Sequence, residues 1–229
     1  MCTAIIKKGA DLLYGYNLDI DPQVWDFELI KRRNLFSVGI RVGSTLYYTH
    51  GVNANGSFDC LPYMNGEDIE IKGGKRYRLD LLCDRYLRGK ISFSDVCDIL
   101  NNREICNAKG ASMHSLLCNG EGDALLIEPG YGIKEIKDCY AVVTNFPILT
   151  ALEDYSNPFF GKDRYDTAMD ILKSSERNFG YNDMLKLLKE LKQDGRWGTR
   201  ISFVYSKNEN AVFYCLNGDF DNVGRWDFR

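Results

Sequence analysis

The opening stretch, MCTAIIKKGADLLYGYNLDID, sets a cysteine at position 2 and a carboxylate at Asp19. Removal of an initiator methionine requires a small second residue, and cysteine is one, so processing leaves a Cys2 that carries both a thiol and a free α-amine. An α-amine titrates near about 7.7–8.0 and a thiol near about 8.5, close enough for the amine, or a water it holds, to take the thiol proton at neutral pH. One residue then supplies nucleophile and base, with no need of a histidine. The chain has only two histidines, His50 and His114, and both read as structural residues within strands.

The two short apolar runs at 2–7 and 11–18, joined around Gly9 and Ala10, read as a β-hairpin. A two-residue loop pairs Lys8 with Asp11, sets Cys2 opposite Asn17 and makes Asp19 the diagonal neighbour on the same face, within roughly 7–8 Å. In that register Asp19 holds the terminal ammonium or orients the thiol. A slip of one residue puts Tyr16 there instead.

The elements that must position these residues follow in blocks. Strand-like runs lie at 26–31, 35–42, 45–50 and 57–61, then two helical segments at 77–88 and 94–102, the second with Ser94 as its expected N-cap. Strands return at 111–118, 123–128, 132–137 and 139–145, with the turn NGEGD (119–123) between the first two. Amphipathic segments at 163–175 and 181–193 precede a final strand pair, 200–206 and 210–216. Strands, two helices, strands, two helices, strands: this order predicts an α+β chain of two largely antiparallel sheets, layered α/β/β/α with helices on the outer faces.

Composition narrows the field. With 229 residues, 5 prolines and nothing that reads as a linker, the chain is expected to be a single domain, 1–229. A net charge of -3 with short basic clusters, KRR (31–33) and KRYR (75–78), gives no pull toward nucleic acid or an anionic membrane. No apolar run reaches membrane-spanning length and no signal-like segment opens the chain, so a cytoplasmic location is expected. The 8 cysteines lack CxxC spacing. They read as reduced, mostly buried residues, and neither a metal nor a cofactor is expected.

Beyond these readings, the sequence resembles the choloylglycine hydrolase group, or linear amide C–N hydrolases, which includes conjugated bile salt hydrolases and penicillin V acylases. These are N-terminal nucleophile hydrolases, with an α/β/β/α sandwich fold. The resemblance rests on MCTA (1–4), GYNLDID (15–21), GVNANGSF (51–58), SMHSLLCNGEGDALLIEP (112–129), VVTNFP (142–147) and GKDRYDTA (161–168), in order along nearly the full chain. It implies Cys2 as nucleophile, Asp19 as the aspartate at the nucleophile's amine and thiol, Asn145 as the oxyanion-hole asparagine and Arg164 as the second active-site arginine. Tyr16, Asn17 and Tyr63 are the candidates on the substrate and oxyanion side, with Asn65 the alternative to Tyr63. Trp25, Phe27, Tyr63 and Phe146 are candidate walls of an apolar acyl pocket.

The activity so implied is hydrolysis of a small N-acyl amide through an acyl-thioester, in a homo-oligomer, a dimer or tetramer. Acyl transfer to an amine and ligand binding without catalysis are the alternatives. The family's first arginine is Tyr16 here, which removes a cation from the thiol. The chain is also shorter than the bile salt enzymes, so bile salt specificity does not carry over.

Overall fold

The computed structural model describes residues 2–64, 74–150, 160–175 and 178–228. Two sheets carry the architecture. The first has the order β12-β1-β2-β13-β14-β15, built from Tyr140–Val143, Cys2–Lys8, Leu12–Asp19, Thr199–Ser206, Ala211–Leu216 and Gly224–Asp227. The second has the order β11-β10-β9-β6-β5-β4-β3, from Gly132–Glu135, Ala124–Glu128, Ser115–Cys118, Phe58–Cys60, Thr45–Asn53, Leu35–Val42 and Asp26–Arg32. All neighbouring strands within both sheets run antiparallel.

Three apolar layers hold these sheets together, and strand alternation sorts residues among them. Cys2, Ala4, Ile6, Tyr14, Tyr16 and Leu18 face the second sheet and pack with Phe36, Val52, Phe58, Cys60 and Leu116. Ile5 and Leu13 face outward, against α3 (Lys162–Ser174) and α4 (Tyr181–Glu190), through Ala168, Leu172, Met184 and Leu188. On the far side, Leu117, Leu125 and Ile127 meet α1 (Leu79–Leu87) and α2 (Phe93–Asn102) through Leu79, Leu82, Cys83, Tyr86 and Val96. The result is the expected α/β/β/α layering.

Several expectations are corrected. The first hairpin pairs Lys8 with Leu12, Thr3 with Asn17 and Cys2 with Leu18, so Asp11 belongs to a three-residue loop. The Gly9 N–H donates to the Asp11 carbonyl across that loop, and the one-residue change moves Asn17 and Asp19 to the face opposite the Cys2 side chain. Ser92, not Ser94, caps α2: its hydroxyl accepts from Asp95 N–H while the Asp95 carboxylate accepts from Ser92 N–H. The strand expected over 111–118 begins only at Ser115. Three strands went unpredicted: the parallel pair β7 (Arg76–Arg78) and β8 (Glu104–Cys106), and β15 at the sheet edge.

Candidate active site

Five strand and helix ends converge at one end of the first sheet. β1 begins with Cys2, β2 ends with Asp19, β13 begins with Thr199, Asn145 follows β12, and Arg164 lies in the first turn of α3. Arg164 shares a helix stripe with Ala168 and Leu172, at spacings of four, and all three are buried. Its guanidinium is thereby carried into the sheet end instead of pairing in solvent, where Lys162 pairs with Asp166.

That guanidinium organises the site. Nη1 donates to the Cys2 carbonyl at 2.8 Å, to Thr3 Oγ1 at 2.7 Å and to Asp19 Oδ2 at 3.2 Å, and Nη2 donates to Asn145 Oδ1 at 2.8 Å. Asn145 Oδ1 also accepts from the main-chain nitrogen of Cys2 at 2.8 Å. Asp19 Oδ1 takes the Thr199 hydroxyl at 2.6 Å. Burial pushes the Asp19 carboxyl up to about 6, with Arg164 and the Thr199 hydroxyl pulling the other way.

Gly161, the N-cap of α3, makes the arginine's approach possible. Its φ of +86° suits glycine, and a Cβ there would stand 2.7 Å from Arg164 Nη2 and 3.1 Å from Thr144 Cβ and Oγ1. The loop carrying Asn145 is pinned from below by two fully buried groups. His114 Nε2 donates to the Thr144 carbonyl at 2.8 Å and Nδ1 meets Glu128 Oε1 at 2.9 Å. Glu128 in turn accepts the N–H groups of Ile148 and Leu149. His114 thereby ties the Thr144 segment, next to Asn145, to Glu128.

The expected site residues thus separate into two faces of β1 and β2. Asp19, Arg164 and Asn145 gather around the Cys2 main chain, joined by Thr3 and Thr199, which no motif singled out; alternation from Cys2 assigns Thr3 to the Asp19 face once the register is known. The Cys2 side chain points the other way, into the layer between the sheets, with Tyr16, Leu18 and Ile20. There Tyr16 stacks on His50, ring centroids 4.7 Å apart at 20°, and tilts against Phe203 at 5.5 Å. His50 Nδ1 accepts the Leu61 N–H at 3.1 Å, and burial lowers its pKa to about 3, so the ring is neutral.

Other candidates contribute differently from expectation. Asn17 faces α4, where its Nδ2 donates to the Leu188 carbonyl at 2.9 Å, away from the thiol. Tyr63 meets the site through its main chain: its carbonyl accepts from Asn145 Nδ2 at 2.6 Å, while its side chain is 51% exposed. Asn65 lies outside the described residues. Phe146 is buried edge-on against Tyr165, and Phe27 packs at the margin of the inter-sheet core. Trp25 is 38% exposed on the turn after β2. All eight cysteines are free.

No protein-family model and no curated protein sequence matches the chain. Solved structures do. A mutant of conjugated bile acid hydrolase from Clostridium perfringens matches with a TM-score of 0.67 and 12% identity, over 99% of this chain and 92% of that one. Penicillin V acylase from Agrobacterium tumefaciens matches with a TM-score of 0.59 and 13% identity, over 94% and 83%. The Caenorhabditis elegans ortholog of N-acylethanolamine-hydrolyzing acid amidase matches with a TM-score of 0.53 and 17% identity, over 90% and 93%. The chain therefore has the α/β/β/α sandwich fold of the N-terminal nucleophile hydrolases.

Proposed function

We propose that this protein is an amidohydrolase that cleaves a linear amide bond of a small N-acyl amide, with Cys2 as nucleophile after removal of Met1. The observation that carries the reading is the shared acceptor at Asn145: one amide oxygen takes the Cys2 nitrogen and an Arg164 N–H, and the same guanidinium reaches the Cys2 carbonyl and Asp19. A nitrogen so held serves as a positioned base once it is a terminal amine. The fold likeness to three proteins named for hydrolysing or acylase activity supports the same reading.

In this mechanism the Cys2 α-amine takes the thiol proton and the thiolate adds to the amide carbon. Asn145 has two amide N–H bonds; one is held by the Tyr63 carbonyl, and the second is the donor to the oxyanion. Such a donor is commonly worth about 2.7–4 kcal/mol of transition-state stabilisation. The carbon–nitrogen bond breaks as the ammonium returns its proton to the leaving amine. Water, deprotonated by the amine, then adds to the thioester, and the thiolate leaves to regenerate the site. Asp19 and Arg164 keep the terminal residue in place throughout.

The test is a panel of N-acyl amides of graded chain length, read by amine release. Cys2→Ser, with Met1 cleanly removed, abolishes turnover if the reading is right, as does one additional N-terminal residue, which converts the amine to an amide. Undiminished turnover in either protein overturns it.

A further inference from the structure

Tyr16 stands where the resembled family keeps an arginine, and its hydroxyl is a buried polar atom on the thiol's side of the sheet. The residue is 0% exposed, its oxygen has no nitrogen or oxygen partner among the described residues, and the one side-chain hydrogen-bonding influence on it comes from the Cys2 thiol. An uncompensated buried hydroxyl costs roughly 1–3 kcal/mol, so its retention asks for a reason. The register supplies a neighbour: with Cys2 opposite Leu18, Tyr16 is the diagonal residue on the same face of the hairpin. The electrostatic influences on the phenol agree. After burial itself, the Cys2 thiol acts on it most strongly, then Cys60 and Asp19, and together they hold the phenol well above its usual range.

We propose that Tyr16 is a catalytic residue whose O–H donates a hydrogen bond to the Cys2 thiolate, taking over with a neutral donor the stabilisation that a cation would otherwise provide. The inference rests on the reading of Cys2 as nucleophile. The thiol proton goes to the Cys2 amine, Tyr16 keeps its own, and the O–H···S contact forms as the sulfur becomes anionic. Catalytic hydrogen bonds are often incomplete in a resting site and tighten when charge develops.

The surroundings enforce this arrangement. From β5, His50 supports the Tyr16 ring by stacking and stays neutral. From β6, Cys60 is kept in its thiol form by burial, with its Sγ 3.5 Å from the Leu116 carbonyl. From β13, Phe203 closes the other side. Asp19, on the opposite face, is engaged by Arg164 and Thr199. Among these neighbours the phenol is the strongest hydrogen-bond donor on the thiol's side of the sheet.

The experiment is alkylation of Cys2 by iodoacetamide as a function of pH, read by mass spectrometry of the N-terminal peptide in the Met1-processed protein. Tyr16→Phe keeps the ring and its stack but removes the donor. The expected result is a rate at pH 6 lowered about tenfold, with little change above pH 9 where the thiolate forms regardless, an upward shift of about one pH unit in the profile. An unchanged profile overturns the proposal. If Tyr16→Phe does not fold, 3-fluorotyrosine placed at position 16 is a stronger donor and shifts the profile downward; no shift, or an upward one, overturns it. Because no substrate is used, this result is independent of the amidase reading, which fails instead on undiminished turnover by Cys2→Ser.

Discussion

Arg164 and Asp19 meet at 3.2 Å with side chains 4% and 0% exposed, and the two terminal nitrogens of the arginine also donate to Cys2, Thr3 and Asn145. A pair this deeply buried is worth most when complete: removing one partner leaves the other without its counter-charge and typically costs about 3–5 kcal/mol. Arg164→Met is therefore expected to lose roughly 3–5 kcal/mol in denaturant unfolding, and to lose amide turnover with it. Equal stability of variant and parent would show that the guanidinium is not holding the site together.

The pH dependence of Asp19 divides stability from activity. Its folded pKa, about 6, lies above the ordinary carboxylate value of 3.8, so the folded state binds the extra proton. Its contribution to stability is complete below pH 4 and is lost as pH rises through 6. Turnover is expected to move oppositely, rising through pH 6 as the carboxylate that holds Arg164 forms. A pH–rate profile with no acid limb near 6 would contradict the role given to Asp19.

Asp59, remote from this chemistry, supplies a second titration. It is fully buried beneath α1, with its Oδ1 taking the Ser115 hydroxyl at 2.7 Å, and burial pushes it up to about 7 against the opposing pull of Ser115, the Cys83 thiol and the Cys60 N–H. By the same sign, its stabilising contribution disappears as pH rises from 4 through 7. Asp59→Asn keeps the acceptor without the charge and is expected to gain on the order of 4 kcal/mol at pH 8 but little at pH 4. Unfolding curves at the two pH values decide it.

Gly161→Ala tests the approach of α3 to the sheet. The methyl group would collide with Arg164 Nη2 and Thr144 at a backbone φ of +86°. A loss of about 1–3 kcal/mol is expected, together with a turnover defect from the displaced guanidinium. Stability that falls without any change in turnover would place the strain elsewhere.

His114→Ala would orphan the Thr144 carbonyl and leave Glu128 with only its backbone partners. A cost of at least about 2 kcal/mol is expected. Because the Asn145 segment loosens, kcat should fall more than KM changes. An effect on KM alone would mean that the histidine acts on substrate binding instead.

The layering was legible from the chain because it depends on local pattern: short apolar, β-prone runs bounded by turn residues for the sheets, and spacings of three and four for Leu79, Leu82, Cys83 and Tyr86 or Met184, Leu187 and Leu188 in the helices. The two-stranded β7–β8 pair and the edge strand β15 were not, since short pieces carry too few residues for a period to declare itself. Ser92 rather than Ser94 caps α2 because the cap is set by which hydroxyl reaches Asp95 N–H, a matter of one turn of backbone.

At the site, residue types and order by themselves determined which groups are present: a thiol at position 2, Asp19, Asn145, Arg164, and a tyrosine at 16. Which face each occupies was decided only by the tertiary structure. The loop at Gly9–Asp11 takes three residues instead of two, and because side chains alternate with period two, that single residue directs Cys2 toward Tyr16 and sends Asp19 to the face of Arg164. A hairpin's register depends on what both its faces pack against, and those partners, α3 (Lys162–Ser174) on one side and the second sheet on the other, lie outside the hairpin's own residues.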